Sequence, residues 1–218
     1  MIGNNKRDEI KNYIPPTPLN FFTKFYDIGC ILMGLGKKFR FFIVQNLKLS
    51  GKERILDAGC GTGTLLLILK KIYPSITAEG LDPDSNVLNI AKKKFEKNGI
   101  NITLYCSKMD NMPFEDNSFD VLVSSLAFHH IKKEERMPSL GECLRILKPR
   151  GKMLLIDFGP PDSNFFNRIL SILMGFFELI EDGKKGRIPL LMKEAEFSEV
   201  KHTAKYLHNI AFYEGYKF

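Results

Sequence analysis

The chain has 218 residues, 44% of them hydrophobic, and a formal net charge of +7. That length supports one well-cored domain and is short for two of ordinary size, and the hydrophobic share excludes a disordered chain. Four cysteines (Cys30, Cys60, Cys106 and Cys143) are scattered without a CxxC pair. This argues against a structural zinc site and a disulfide scaffold, and it fits a reducing cytosol. The first residues, "MIGNNKRDEIKNY", are polar with no apolar run, so no signal peptide is expected. The positive charge admits an anionic partner. Runs such as Lys92-Lys93-Lys94, however, fall on the polar side of a helical pattern. They read as a solvated face, and no nucleic-acid partner is expected.

In chain order, residues 1–50 are expected to form Phe-rich helices broken at "PPTP", residues 15–18. From residue 50 strands and helices alternate. Short apolar stretches bounded by Gly, Pro, Asp or Asn predict strands at Arg54–Ala58, Thr77–Asp82, Ile102–Cys106, Phe119–Ser124 and Lys152–Phe158. Helices are predicted at Thr64–Ile72, Ser85–Asn98 and Lys133–Leu147. In the second of these Val87, Leu88, Ile90, Ala91 and Phe95 recur at helical spacing opposite lysines. "LKPRG", residues 147–151, reads as a helix stop and a turn into the next strand. Residues 160–195 interrupt the pattern with Pro160-Pro161, an apolar helix at 165–180 and a basic loop. Val200–Phe218 is expected to close the sheet as an antiparallel pair. The alternation predicts an α/β fold with a doubly wound, mostly parallel sheet. The expected organisation is a helical cap over residues 1–50, and a main domain over 51–218 carrying a lid insertion at 160–195.

The chemistry concentrates in "RILDAGCGTGTLL", residues 54–66: an acid, Asp57, then Gly59, Gly61 and Gly63 at alternate positions. A glycine loop between strand and helix lets backbone approach a ligand at the carboxyl ends of the strands. The dinucleotide fingerprint is G-x-G-x-x-G, with pyrophosphate on a helix N-terminus. Here the spacing is G-x-G-x-G and a carboxylate precedes it. That carboxylate repels phosphate and attracts a ligand bearing an ammonium and a sulfonium, which points to S-adenosylmethionine rather than NAD. Asp82, ending the second strand in "GLDPD", is placed to accept from both ribose hydroxyls. The plainer reading is that it only caps the helix near Ser85.

The segments "ILDAGCGTG", "GLDPD", "MPFEDNSFDVLVSS" and "LRILKPRGKMLLIDF" resemble the class I S-adenosylmethionine-dependent methyltransferases. In order and spacing they are most similar to the ubiquinone/menaquinone biosynthesis C-methyltransferases. The resemblance covers residues 50–160 and, more loosely, Tyr26-Asp27. It implies a seven-stranded Rossmann-like sheet. It also implies a cofactor site in which the loop from Asp57 through Gly59, Cys60, Gly61, Thr62 and Gly63 holds the methionine end. Thr62 would lie near the carboxylate, with Asp82 and Pro83 at the ribose. Met109, flanked by Lys108 and Asp110, would border adenine through its backbone N–H. Ser125 would line the methyl-donor side, and Tyr26 would close over the cofactor. Lys108 departs from the family, whose acid at that position accepts from the adenine amino group. Lysine cannot accept, so Asp110 or a main-chain carbonyl is the expected replacement.

Methyl transfer from a sulfonium is an in-line displacement, in which the protein mainly aligns the acceptor and excludes water. A base is needed only where the acceptor must lose a proton. The candidates are His129 and His130 in "AFHHI". The segment "SSLAFHH" lacks the [N/D/S]-P-P-[Y/F] pattern of amino-group methyltransferases, and no cysteine follows proline as a cytosine C5 nucleophile would. No His/Asp/Glu cluster has metal-ligand spacing, so no metal is expected. The apolar stretch "FFNRILSILMGFFELI" is too short and too polar for a membrane span. It predicts a greasy lid and a small hydrophobic acceptor, quinone- or lipid-like. Lys184, Lys185 and Arg187 suit transient contact of a cytoplasmic protein with an anionic membrane. A non-catalytic cofactor-binding module and an NAD-dependent oxidoreductase are the alternatives. The oligomeric state and the acceptor atom stay open.

Overall fold

The protein is described from a computed structural model over residues 35–160, 181–207 and 209–218. Tyr26, residues 1–34 of the Phe-rich N-terminal stretch and the apolar segment 165–180 lie outside the described residues. The first described helix is α1 (Lys37–Leu47), followed by β1 (Arg54–Ala58), α2 (Thr64–Ile72), β2 (Thr77–Asp82), α3 (Ser85–Lys97) and β3 (Thr103–Cys106). Then come β4 (Phe119–Ser125), a 3₁₀ turn (Phe128–His130), α4 (Lys133–Ile146) and β5 (Leu147–Phe158). The short helices α5 (Glu181–Lys184) and α6 (Ile188–Glu194) lead to β6 (Ser198–Tyr206) and β7 (Ile210–Tyr216).

The seven strands form one sheet in the order β3-β2-β1-β4-β5-β7-β6. The first five are parallel. Strand β7 runs antiparallel to β5, and β6 antiparallel to β7. The predicted doubly wound α/β sheet and its antiparallel closing pair are both present.

Side chains alternate across the sheet with period two, and each face finds its own helices. Ile55, Val121, Val123, Leu154, Ile156 and Phe212 point to one side, where α1 supplies Phe39, Ile43 and Leu47 and the leucines of α2 pack beside Phe95 of α3. Leu56, Leu81, Leu122, Met153 and Leu155 point to the other side, against Leu140, Cys143 and Ile146 of α4 and Ile188 and Met192 of α6. The result is a three-layer sandwich.

"LKPRG" departs from the simple turn expected of it. Strand β5 begins at Leu147, directly after α4, and pairs with Phe119 there before rejoining β4 at Lys152 opposite Val121. The intervening residues make a bulge, with Arg150 at φ +65°. Hydrogen bonds from Arg150 N–H to the Lys217 carbonyl and from Lys217 N–H to the Gly151 carbonyl fasten it. Proline and glycine thus interrupt a strand here without ending it.

The chain winds outward through β1, β2 and β3, then returns to β4 on the other side of β1. The reversal opens a crevice beyond the carboxyl ends of β1 and β4, where open α/β sheets take their ligands.

Phe39 is fully buried and its ring lies 4.9 Å from that of Tyr206 and 6.3 Å from that of Phe212. Phe39→Ala is expected to cost about 3–5 kcal/mol in urea unfolding. A loss below about 1 kcal/mol would mean that α1 does not dock on the sheet.

Candidate cofactor-binding site

The glycine loop leaves β1 with all three glycines at positive φ: Gly59 at +81°, Gly61 at +53° and Gly63 at +71°. Two of them are also wedged. A Cβ on Gly59 would sit 2.3 Å from the Ala127 Cβ, and one on Gly63 2.4 Å from the Phe95 Cζ. A Cβ on Gly61 would meet nothing within 4 Å, so that glycine faces open space in the crevice. The outer two glycines pack the loop against its neighbours, and the middle one exposes backbone.

Asp82 ties this loop to the second strand. Gly61 N–H donates to its Oδ2 at 2.9 Å and Asp84 N–H to its Oδ1 at 3.0 Å. The cap of α3 is a different residue: Asp84, whose Oδ1 accepts from Asn86 N–H at 2.8 Å. The plainer reading of Asp82 as a helix cap therefore falls. Each carboxylate oxygen retains a lone pair for a ligand.

Asp57 is buried at the end of β1, beneath the loop. Burial pushes its carboxyl up to about 7; the Arg40 guanidinium pulls it down and the Asp82 charge adds to the rise. Burial also lifts Asp82, to about 6, against the two backbone N–H donors. A raised folded-state pKa means that the folded protein holds its proton more tightly than the unfolded chain. The stability from this source is complete below 3.8, the ordinary carboxyl value, and is lost as pH rises through about 7. Two carboxylates kept dry are poised for a cationic partner.

The cleft brings together most of the predicted residues: Asp57, Gly59, Cys60, Gly61, Thr62, Asp82, Pro83, Lys108, Met109, Asp110, Ser125 and His130 all line it. Gly63 supports the loop from behind, as its contact with Phe95 shows. Thr62 Oγ1 accepts from Lys94 Nζ of α3 at 3.0 Å, and Lys94 reaches Thr64 Oγ1 at 2.7 Å. Sequence reasoning missed Arg40 and Glu135, which also line the cleft. Arg40 projects from α1 and its Nη1 donates to Ser125 Oγ at 3.3 Å. Lys108 Nζ donates to Glu135 Oε1 of α4 at 3.1 Å. No local motif marks either partner; a positive residue in an apolar helix facing the sheet was the available signal for Arg40.

The two histidines line different cavities, although their ring centroids lie 4.0 Å apart. His129 Nδ1 meets Asp157 Oδ1 at 2.8 Å and its backbone N–H donates to Asp157 Oδ2 at 3.0 Å. Burial pushes the Asp157 carboxyl up, but the His129 ring and the N–H donors outweigh it and hold it below its usual value. His129 faces a second, small cavity with Asp157, Phe158 and Asp182. His130 lines the main cleft; burial, reinforced by His129, lowers its imidazole to about 4, so it is neutral near pH 7. Among the described residues no group of three His, Cys, Asp or Glu side chains is arranged to hold a metal ion, and no helix is long and apolar enough to cross a membrane.

Known proteins resemble the chain in sequence and in fold. Residues 55–151 match the family model of the methyltransferase domain. The chain is 32% identical over 133 residues to demethylmenaquinone methyltransferase of Thermotoga maritima, a match covering 61% of this chain and 56% of that protein. It is 32% identical over 141 residues to a ubiquinone/menaquinone biosynthesis C-methyltransferase of Citrifermentans bemidjiense, covering 62% and 59%. The matched region thus spans little more than half the length of these curated relatives. In fold the chain is similar to phosphoethanolamine N-methyltransferase 2 of Haemonchus contortus solved with S-adenosyl-L-methionine. The TM-score is 0.65 at 19% identity, over 84% of this chain and 53% of that one. It is also similar to a (4+2)-cyclase, with a TM-score of 0.58 at 18% identity over 83% and 80% of the two chains. In sequence and in fold the chain resembles the class I S-adenosylmethionine-dependent methyltransferases, as its four motifs imply.

The glycines make a graded prediction. Gly63→Ala combines backbone strain with overlap and is expected to lose roughly 3 kcal/mol or more in denaturant melts; Gly61→Ala carries strain alone, about 1–2 kcal/mol. Equal losses, or the reverse order, would contradict the packing described for the loop.

Proposed function

We propose that the chain is an S-adenosylmethionine-dependent methyltransferase acting on a small hydrophobic acceptor, quinone- or lipid-like. The observation that carries the cofactor reading is the dry Asp57 carboxylate beneath the glycine loop. Among the described residues the cleft is lined by five carboxylates (Asp57, Asp82, Asp84, Asp110, Glu135) against three cations (Arg40, Lys108, Lys132). Such a wall suits a ligand with an ammonium and a sulfonium and opposes a pyrophosphate, which disfavours NAD.

The cofactor would bring an activated methyl group on sulfur. The protein's own work is then positioning, exclusion of water and, for an acidic acceptor hydrogen, custody of a proton. Asp57 would face the ammonium and Arg40 the carboxylate of the methionine end, with Asp82 at the ribose. Of the two histidines only His129 has its ring oriented by a carboxylate, with Asp157 at Nδ1 and Nε2 left as the proton-accepting nitrogen; it borders the cleft through the His130 ring, 4.0 Å away, and would serve as the base from there. His130, lowered to about 4, is too weak a base for that role and would wall the methyl-donor side. Support for the acceptor class comes from the quinone-pathway names of the relatives, from Leu126, Ala127 and Ile131 in the cleft wall, and from the apolar sequence of residues 165–180. Cytoplasmic residence with contact at a membrane surface fits such an acceptor. The similarity to a cyclase keeps a second reading in view, a cofactor-binding fold that transfers no methyl group.

Titration calorimetry with S-adenosylhomocysteine tests the cofactor site twice. Asp82→Ala removes two acceptors for the ribose and is expected to weaken binding at least tenfold; unchanged affinity removes Asp82 from the ribose. Because Asp57 must be ionised to hold the ammonium, affinity is expected to rise about tenfold from pH 6 to pH 8 and to level off above the carboxyl's pKa of about 7. Asp57→Asn flattens that profile; a wild-type affinity that does not change over this range removes Asp57 from the ammonium.

Turnover tests the chemistry. With a demethylmenaquinol-type acceptor and labelled cofactor, His129→Asn is expected to lower kcat by roughly 10²–10⁴-fold with S-adenosylhomocysteine affinity nearly unchanged. Cofactor binding without methylated product from any quinol or lipid acceptor supports the second reading.

A further inference from the structure

Past Asp82 the cleft continues toward the free edge of the sheet, where β3 is the last strand. Two elements meet there. The loop after β3 presents Lys108, Met109 and Asp110, and the first turn of α4 presents Glu135. Lys108 Nζ donates to Glu135 Oε1 at 3.1 Å, and the two side chains are only 21% and 26% exposed. This is a cross-cleft pair, joining segments 27 residues apart, rather than a solvated neighbour pair on one helix.

The two groups have opposite hydrogen-bonding character. An ammonium only donates and an ionised carboxylate only accepts. One oxygen of Glu135 meets Lys108, which leaves its Oε2 and two Lys108 protons for a ligand. Side by side they offer a donor next to an acceptor. That is the complement of one edge of adenine, where an amino group that donates stands beside a ring nitrogen that accepts; Asn and Gln read adenine in the same way. The ligand's direction fits. With the methionine end over β1 and β4 and the ribose at Asp82 over β2, the base extends over β3, to this wall.

Resting on the cofactor reading above, we propose that the Lys108–Glu135 pair is the base-specificity element of this site. Glu135 accepts from the 6-amino group and Lys108 donates to the adjacent ring nitrogen. A 6-oxo purine would set a carbonyl oxygen against the Glu135 carboxylate and an N–H against the Lys108 ammonium, and is rejected. Asp110 shares the wall, but among the described residues it has no hydrogen bond or ion pair to orient it, whereas Lys108 holds Glu135 in place.

The test is calorimetric competition between S-adenosylhomocysteine and its 6-oxo analogue, S-inosylhomocysteine, on the wild type and on Glu135→Gln, Glu135→Ala and Asp110→Asn. The wild type is expected to prefer the amino compound by roughly tenfold to a hundredfold. Glu135→Gln keeps the shape and presents its amide either way round, so it and Glu135→Ala bring the ratio to within about threefold. Asp110→Asn keeps the wild-type ratio. Melting curves establish that each variant is folded, and the isosteric Gln variant carries the result if the Ala variant is not. A wild-type ratio that persists in both Glu135 variants, or one that collapses in Asp110→Asn, overturns the assignment. Wild-type protein that binds neither compound overturns it by a different route, because the cofactor reading itself then fails.

Discussion

One carboxylate holds the site together. Asp82 accepts from the N–H of Gly61 on the first loop and from that of Asp84 on the second. The two loops leave adjacent parallel strands; the N–H groups of Gly59 and Cys60 still reach the Leu81 carbonyl of β2, and past that point the backbone pairing between them ends. A buried acceptor with two oxygens joins them at the spot where the ligand must lie. The arrangement has a cost: burial lifts both Asp82 and Asp57 above their ordinary range. A cationic ligand relieves that cost, so what the free protein loses in stability at neutral pH becomes selectivity for a positively charged partner.

The strand ends were readable because parallel strands buried on both faces need continuous apolar runs, and those runs are punctuated here by glycine and acid. Strands β1 and β2 and helix α2 fall where the pattern places them, and the helices α3 and α4 differ from it by one residue. The start of β5 was not readable. Pro149 and Gly151 signal a turn, and only tertiary pairing of Leu147 with Phe119, together with the Lys217 hydrogen bonds, makes that turn a bulge inside a strand. The same division applies to the site. Asp57, the glycines and Asp82 belong to local motifs. Arg40 and Glu135 reach the cleft from helices 17 residues before Asp57 and 53 after Asp82, and nothing local announces them. The histidines show the intermediate case: the pair was visible as a sequence doublet, but its division between two cavities depends on Asp157, which comes from another strand.

Fold and cofactor site leave the reaction open in a specific sense. A three-layer sheet of this topology appears in an N-methyltransferase and in a cyclase at nearly the same similarity to this chain. What all such proteins can share is the crevice at the reversal of strand order; what differs must come from the segments above it. Outside the described residues the sequence offers one such segment as a proposal, since eleven of the sixteen residues from 165 to 180 are apolar.

Charge separates the two tasks of the molecule. The whole chain carries +7, yet its cleft carries three cations against five carboxylates, a difference of −2 among the described residues. Surface lysines act over a Debye length of about 8 Å in physiological salt and are screened beyond it. Buried acids act on a ligand at contact, in a medium that screens little. A basic exterior can therefore favour an anionic membrane surface, from which an apolar acceptor would be drawn, without making the interior favour anions. The Lys108–Glu135 pair follows the same logic at smaller scale: as a pair it adds no net charge to the cleft. A lone carboxylate in its place would accept from an amino group equally well but would deepen the negative field around Asp57 and Asp82. That would raise both carboxyls further and make them harder to ionise for the ligand. Supplying the acceptor together with its own counter-ion reads the base while sparing the two acids on which the rest of the site depends.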